Sequence, residues 1–336
     1  MRRATGSLFG LAYGDALGKP TEFLRVPEII ERYGPGGPRD LEGDPALVTD
    51  DTQMALEVAR SLRDAPEWTA AAVEPLLRAN FVAWSVSPEN NRAPGRTCMR
   101  ACRHLASGVP WVQATVAGSK GCGANMRVTP VGLLPGIDED TMAGLAQFQA
   151  ALTHGHPTGL AAAELTAYAV RLLARGEAGL TDLPAALRER CGSQRHVYRA
   201  DWLGDLWQLQ GATTALLIEN AEQFIELGWN ECLAVLDRLD AALARPDRDT
   251  DPCQATGRGW VAEEALATAL HCALLYPDDP VSALARAATT TGDSDSIACL
   301  TGAFHGAAHG MDAWPAGWAT RIEHSAELAA LGAHWD

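Results

Sequence analysis

Apolar residues in this 336-residue chain recur at helical spacing almost throughout, and that regularity limits the folds open to it. The stretches 54–62, 73–84, 160–173, 232–243, 261–275 and 297–308 place alanine, leucine and valine three and four residues apart. Such spacing lays one apolar stripe along an α-helix. No sustained period-two alternation and no Asn-Gly turn is present, so a sheet is not expected. Helix-start residues precede several stretches: Thr52 before Met54, Thr69 before Val73, Thr181-Asp182 before Leu183. Gly and Pro clusters at 34–38, 108–110, 132–136, 155–159 and 314–317 punctuate them. There is no fixed repeat and no linker, and residues 245–251 read as one solvated loop. The chain therefore reads as one all-α domain over residues 1–336, a single compact body of many packed helices.

Charge and cysteine content narrow the function classes. Lys and Arg number 27 against 42 Asp and Glu, a net charge of −15, which argues against binding duplex nucleic acid or a membrane surface. An anionic ligand stays compatible with this balance, because one local pocket can oppose the global field. The eight cysteines are scattered with no CxxC pair, which reads as buried thiols in a cytoplasmic protein. Cys98 and Cys102 lie one helical turn apart without the second pair a zinc site needs. The segment after Met1-Arg2-Arg3 is apolar, but Asp15, Lys19 and its many glycines break a signal-peptide core. No apolar run approaches the roughly 20 residues that span a bilayer.

Two segments place paired carboxylates where helix logic would not. Thr49-Asp50-Asp51-Thr52 precedes the helix expected from near Gln53, and Gly292-Asp293-Ser294-Asp295-Ser296 precedes the one from Ile297. Helix capping explains one such residue. Adjacent like charges at each of two helix starts exceed that need, and a divalent cation would offset the repulsion with hard oxygen ligands. Because residues i and i+2 do not share a helix face, Asp293 and Asp295 are expected to meet on an ion only from an irregular loop. Capping and metal binding both stay open on spacing alone. An EF-hand counted from Asp293 fails at Ala298 and Phe304; a dinucleotide fingerprint at 121–126 fails at Met126; Walker and HExxH motifs are absent. His154 and His156 read as loop residues bonding neighbours or ligand rather than as zinc ligands.

Taken together, these segments resemble the ADP-ribosylglycohydrolase family, and its bacterial dinitrogenase reductase-activating branch in particular. Gly10-Leu11-Ala12-Tyr13-Gly14-Asp15-Ala16-Leu17-Gly18-Lys19-Pro20-Thr21-Glu22-Phe23 is similar to the family's opening signature. Thr49 to Leu56 resembles its first metal motif, Gly121 to Pro130 its glycine-rich ligand loop, Leu152 to Pro157 the segment after it, and Gly292 to Ala307 its second metal motif. The five occur in the family's order between about residues 6 and 310.

The resemblance implies an all-α fold with a central cleft holding two divalent cations, Mg²⁺ or Mn²⁺. It implies Thr49, Asp50, Asp51, Asp293, Asp295 and Ser296 as metal ligands, and Glu22, Asp50 and Asp295 as catalytic. It gives Asp15 a buttressing role. Gly121, Cys122, Gly123, Ala124, Asn125 and Met126 would bring backbone N–H groups to a pyrophosphate, with His154 near the phosphates or the distal ribose. The partners implied are ADP-ribose and an ADP-ribosylated protein, and the reaction is hydrolysis at C1″ of the distal ribose. Three departures stand out. Ser296 replaces the usual threonine, Cys122 the usual asparagine, and no acidic residue aligns in Pro88-Glu89-Asn90-Asn91-Arg92-Ala93-Pro94-Gly95, where arginine-specific members carry one. Arginine is the first acceptor implied. O-acetyl-ADP-ribose or another ADP-ribosyl linkage, a metal-dependent phosphoesterase and a non-catalytic ADP-ribose binder are the alternatives.

Overall fold

Helical spacing is realised as helices. The structure is a computed structural model describing residues 1–212 and 218–336, and among these no strand forms beyond isolated bridges such as Val116 with His154 and Gly121 with Val261. Six helices position the site: α1 (Arg3–Gly18), α2 (Asp50–Asp64), α3 (Arg96–Ala106), α4 (Pro157–Arg175), α5 (Ala262–Leu275) and α6 (Ser294–His309). Apolar side chains from Ala4 to Trp335 pack into one extensive core cluster. No described helix is long and apolar enough to cross a membrane.

Helix starts differ from the sequence expectation at the places that matter. The Thr52 start signal is displaced by one turn: α2 begins at Asp50, and Thr49 caps it by accepting from the Asp51 N–H at 3.3 Å. Asp50 and Asp51 are thus the first residues of the helix rather than a loop before it. α6 likewise begins at Ser294, with Asp293 at the N-cap and Asp295 inside the first turn. The pair meets across a loop–helix junction, so an irregular loop is not needed. The 245–251 segment is solvated only in part. Its last residue, Asp251, is buried and accepts from Cys253 N–H, Thr290 hydroxyl, and both the N–H and hydroxyl of Thr291.

The glycines that spoil a signal-peptide reading have a packing role. Gly6, Gly10, Gly14 and Gly18 form one stripe along α1, and a Cβ on any of them would lie under 3 Å from backbone of residues 294–311. Gly302 and Gly306 answer from α6, facing Gly10 and Gly6. The two helices therefore run antiparallel with backbones nearly touching. That seam brings the C-terminal end of α1 onto the first turn of α6.

Candidate metal centre

The site is assembled by α1. Asp15, fully buried, accepts from the Thr49 and Thr52 N–H groups at 3.0 Å and from the Thr52 hydroxyl at 2.5 Å. These bonds hold the first turn of α2 against α1. At the end of the seam, the Thr21 and Ser294 hydroxyls sit 3.0 Å apart, and each lies within hydrogen-bond reach of the Gly18 carbonyl. Glu22 follows directly. Glu22, Asp293 and Asp295 each offer a carboxylate oxygen, and the three lie within 4.8 Å of one another.

Both carboxylate motifs open onto one cleft of about 350 Å³, lined by Glu22, Asp50, Asp51, Asp293, Asp295 and Ser296 together with Gly121, Cys122, Gly123, Met126 and His154. Thr49, Ala124 and Asn125 lie behind this lining, buried. The Asn125 side chain donates to the Ala262 carbonyl at 3.1 Å and so fastens the glycine-rich loop to α5.

Crowded acids in a dry place resist ionisation. Burial first, then Asp295, pushes the Asp15 carboxyl up to about 7. Asp50 is also raised to about 7, chiefly by burial, although the Gly95 N–H opposes the shift by donating to it at 3.0 Å. Glu22 rises to about 9 through burial and the charges of Asp295, Asp50 and Asp15. Asp51, Asp293 and Asp295 are raised too, burial leading in each case. Asp51 Oδ2 is buried with no hydrogen-bond partner among the described residues. An orphaned buried carboxylate oxygen amid mutually repelling acids is the environment a hard divalent cation relieves, so the residues present fit such a cation.

The glycine-rich loop is strapped down from behind. Cys122 N–H donates to the Trp260 carbonyl at 3.1 Å, Asn125 and Met126 N–H to the Cys122 carbonyl at 2.6 and 3.1 Å, and Gly121 N–H lies 3.4 Å from the Ser119 hydroxyl. Four backbone donors of the loop are therefore engaged inside the protein. Gly123 has no room for a side chain: a Cβ would meet Cys98 Sγ at 2.8 Å and His154 Cε1 at 3.1 Å. His154 is held neutral by burial and the neighbouring Arg127. Its Nδ1 pairs with the Thr153 hydroxyl at 2.8 Å. His156 instead accepts from the Thr158 N–H at the start of α4. Arg127 turns wholly inward, donating to Gln149 and Thr153 with its guanidinium over Phe81.

Spacing gave no sign of Arg96, Thr97 or Trp260, which also line the cleft; Cys98, noted only for its one-turn spacing from Cys102, lines it as well, and Phe23 was legible only as the neighbour of Glu22. Phe23 and Trp260 are exposed, near-parallel rings 6.4 Å apart at its edge. The 88–95 loop brings no carboxylate to the lining. Glu89 borders a separate hollow with Gln53 and Glu57, and Arg92 is paired with Glu323.

An ADP-ribosylglycohydrolase family model matches residues 1–335. The chain belongs to the ADP-ribosylglycohydrolase family. It is similar to the ADP-ribosyl-[dinitrogen reductase] glycohydrolase of Rhodospirillum rubrum, 26% identical over 329 residues, covering 97% of this chain and 92% of that protein. It is similar as well to the ADP-ribosylarginine hydrolase Tri1 of Serratia proteamaculans, 25% identical over 339 residues, with 98% and 77% covered. A solved structure described as an ADP-ribosylglycohydrolase-related protein complex aligns with a TM-score of 0.67 at 23% identity, covering 99% of this chain and 96% of that one. That last likeness is one of fold. Family membership and the carboxylate cluster together support a metal-dependent hydrolase.

Proposed function

We propose that this ADP-ribosylglycohydrolase-family chain acts as one domain over residues 1–336. It releases ADP-ribose from a modified protein side chain, arginine first, by hydrolysis at C1″ of the distal ribose. The observation that carries the reading is the arrival of Glu22, Asp50, Asp51, Asp293 and Asp295 in the same cleft as the glycine-rich loop. The names of the Serratia and Rhodospirillum relatives support arginine as acceptor and the dinitrogenase reductase-activating branch, respectively. A cytoplasmic setting accords with eight unpaired, buried cysteines.

Thr49, Asp50, Asp51, Asp293, Asp295 and Ser296 would hold the two cations, Mg²⁺ or Mn²⁺. When bound, the ions supply positive charge that orients ribose hydroxyls and activates water. The remaining work falls to the chain. Asp15 and the Thr21–Ser294 contact keep the two motifs in register, as preorganised sites require. Glu22 is the half-buried acid of the cluster and opens to the cleft, which places it to move a proton to or from the reacting atoms. Gly121, Gly123 and His154 shape the wall along which the diphosphate would lie.

One observation favours a different ADP-ribosyl linkage, O-acetyl-ADP-ribose included: no acid from residues 88–95 faces the cleft to receive a guanidinium. The test is a panel of arginine-linked, other side-chain-linked and O-acetyl ADP-ribose, incubated with Mg²⁺, Mn²⁺ or EDTA, with products identified by mass. Intact ADP-ribose released only with metal supports the reading. Inorganic phosphate or a split diphosphate would make the chain a phosphoesterase, and no product from any linkage would make it a binder.

A further inference from the structure

The cleft presents an electrostatic problem for the ligand just proposed. Five carboxylates line it, Glu22, Asp50, Asp51, Asp293 and Asp295, and a diphosphate adds negative charge of its own. Cations held by the carboxylates offset the cluster, and four of the glycine-rich loop's N–H groups are already engaged within the protein. Among the described residues lining the cleft, Arg96 is the one arginine or lysine.

Its neighbours in sequence fix its place. On one side, Gly95 N–H donates to Asp50 Oδ2 at 3.0 Å, at the carboxylate cluster. On the other, the Thr97 hydroxyl lies 3.0 Å from the Ser119 hydroxyl, beside the start of the glycine-rich loop. Arg96 thus stands at the junction of the two. Its side chain is exposed, and among the described residues no ion pair or hydrogen bond holds the guanidinium, in contrast to Arg92, which is fixed on Glu323 and the Val48 carbonyl. It also opens α3, whose first turn, Gly95 to Cys98, lines the cleft and so turns the helix's partial positive charge toward it. From within, His154 is 1% exposed and lines the same cleft, its Nε2 facing Gly121.

We propose that Arg96 binds the diphosphate of the ligand, as the fixed cation of an otherwise acidic cleft. Guanidinium suits this role because its planar fork donates two parallel bonds to phosphate oxygens. The inference rests on the ADP-ribose reading for the ligand and not on hydrolysis.

Calorimetric titrations of wild type, Arg96→Gln and Arg96→Lys with ADP-ribose, ADP and adenosine, in the presence of Mg²⁺, test it. Loss of one charge-assisted contact predicts about 10–100-fold weaker binding of ADP-ribose and ADP to Arg96→Gln. Arg96→Lys should recover part of this, and adenosine affinity should change less than twofold. Melting temperature should be unaltered, because the side chain is exposed and unpaired. Wild-type affinity for ADP should also fall more steeply with added salt than that of Arg96→Gln. An Arg96→Gln variant that binds ADP within twofold of wild type overturns the proposal while leaving the hydrolase reading intact. A wild type that binds ADP and ADP-ribose, loses both in the variant, yet hydrolyses no linkage supports Arg96 and removes the hydrolase reading. A wild type that binds neither overturns both.

Discussion

Substituting alanine at the two ends of the α1–α6 seam separates packing from metal binding. A Cβ at Gly6 meets backbone of Gly306, Gly310 and Met311, and one at Gly18 meets backbone of Ser294 and Asp295, all under 3 Å. Backbone cannot rotate away, so each substitution forces the helices apart, at about 1–3 kcal/mol for an overpacked site. Better helix propensity offsets up to about 1 kcal/mol of this in a helix interior. With an unfolding entropy of about 2.1 cal/mol/K per residue across 336 residues, the net cost should lower the melting temperature of each variant by up to roughly 4 °C. Only Gly18→Ala also displaces Asp295. Disturbing what supports a metal ligand lowers affinity about 10–100-fold. At saturating metal that removes roughly 1.4–2.7 kcal/mol of metal-induced stabilisation. Thermal melts with and without Mn²⁺, backed by calorimetric titration, read both effects. Gly6→Ala should keep the wild-type Mn²⁺ affinity and Gly18→Ala should lose it. Equal Mn²⁺ affinity in the two variants would refute the idea that the seam sets the second motif.

Further outcomes follow from the same geometry. Asp15 and Asp50 are raised to about 7 and Glu22 to about 9, so the folded, ion-free chain binds more protons than the unfolded one across that window. This contribution is complete below about pH 4 and is lost as pH rises through 7 and then 9. The melting-temperature gap between Mg²⁺-loaded and EDTA-treated protein should widen from pH 6 to 9, and a constant gap would contradict the coupling. Gly123→Val should abolish the melting-temperature rise caused by ADP-ribose, because its side chain would collide with Cys98 and His154; an undiminished rise would place the ligand elsewhere. Asp295→Asn should lose metal affinity and turnover together by orders of magnitude, whereas Glu22→Gln should lower the rate more than the metal affinity. Equal rates of ADP-ribose release in both variants and wild type would count against the assigned roles.

The helical class was legible where a helix keeps an apolar stripe against a polar face, as in Asp50–Asp64 and Ala221–Leu243, but not in Arg3–Gly18, which is buried on every face. The two carboxylate motifs were legible for a related reason, since adjacent like charges at a helix start are costly enough to need an explanation. Long-range pairing was not. Gly6, Gly10, Gly14 and Gly18 repeat every fourth residue in plain view, yet their meaning depends on Gly302 and Gly306 across the whole chain. The cap at Thr49 was hidden because Thr52 is equally good capping chemistry, and Asp15 decides between them by holding Thr52 in the helix. Asp251 looked solvated because its partners, Thr290 and Thr291, lie some forty residues away. Arg96 and Trp260 reach the cleft from segments with no motif of their own, so only the folded chain shows them there.

The proposed function requires the two carboxylate motifs to share divalent cations in one cleft with ADP-ribose. Crystals soaked in Mn²⁺ and ADP-ribose, with data collected at a wavelength where manganese scatters anomalously, test this most directly. One or two anomalous peaks are expected within roughly 2.0–2.6 Å of oxygens from both Asp50-Asp51 and Asp293-Asp295, with the distal ribose against them. Peaks confined to one motif, or ADP-ribose bound outside the cleft with no manganese beside it, would contradict it.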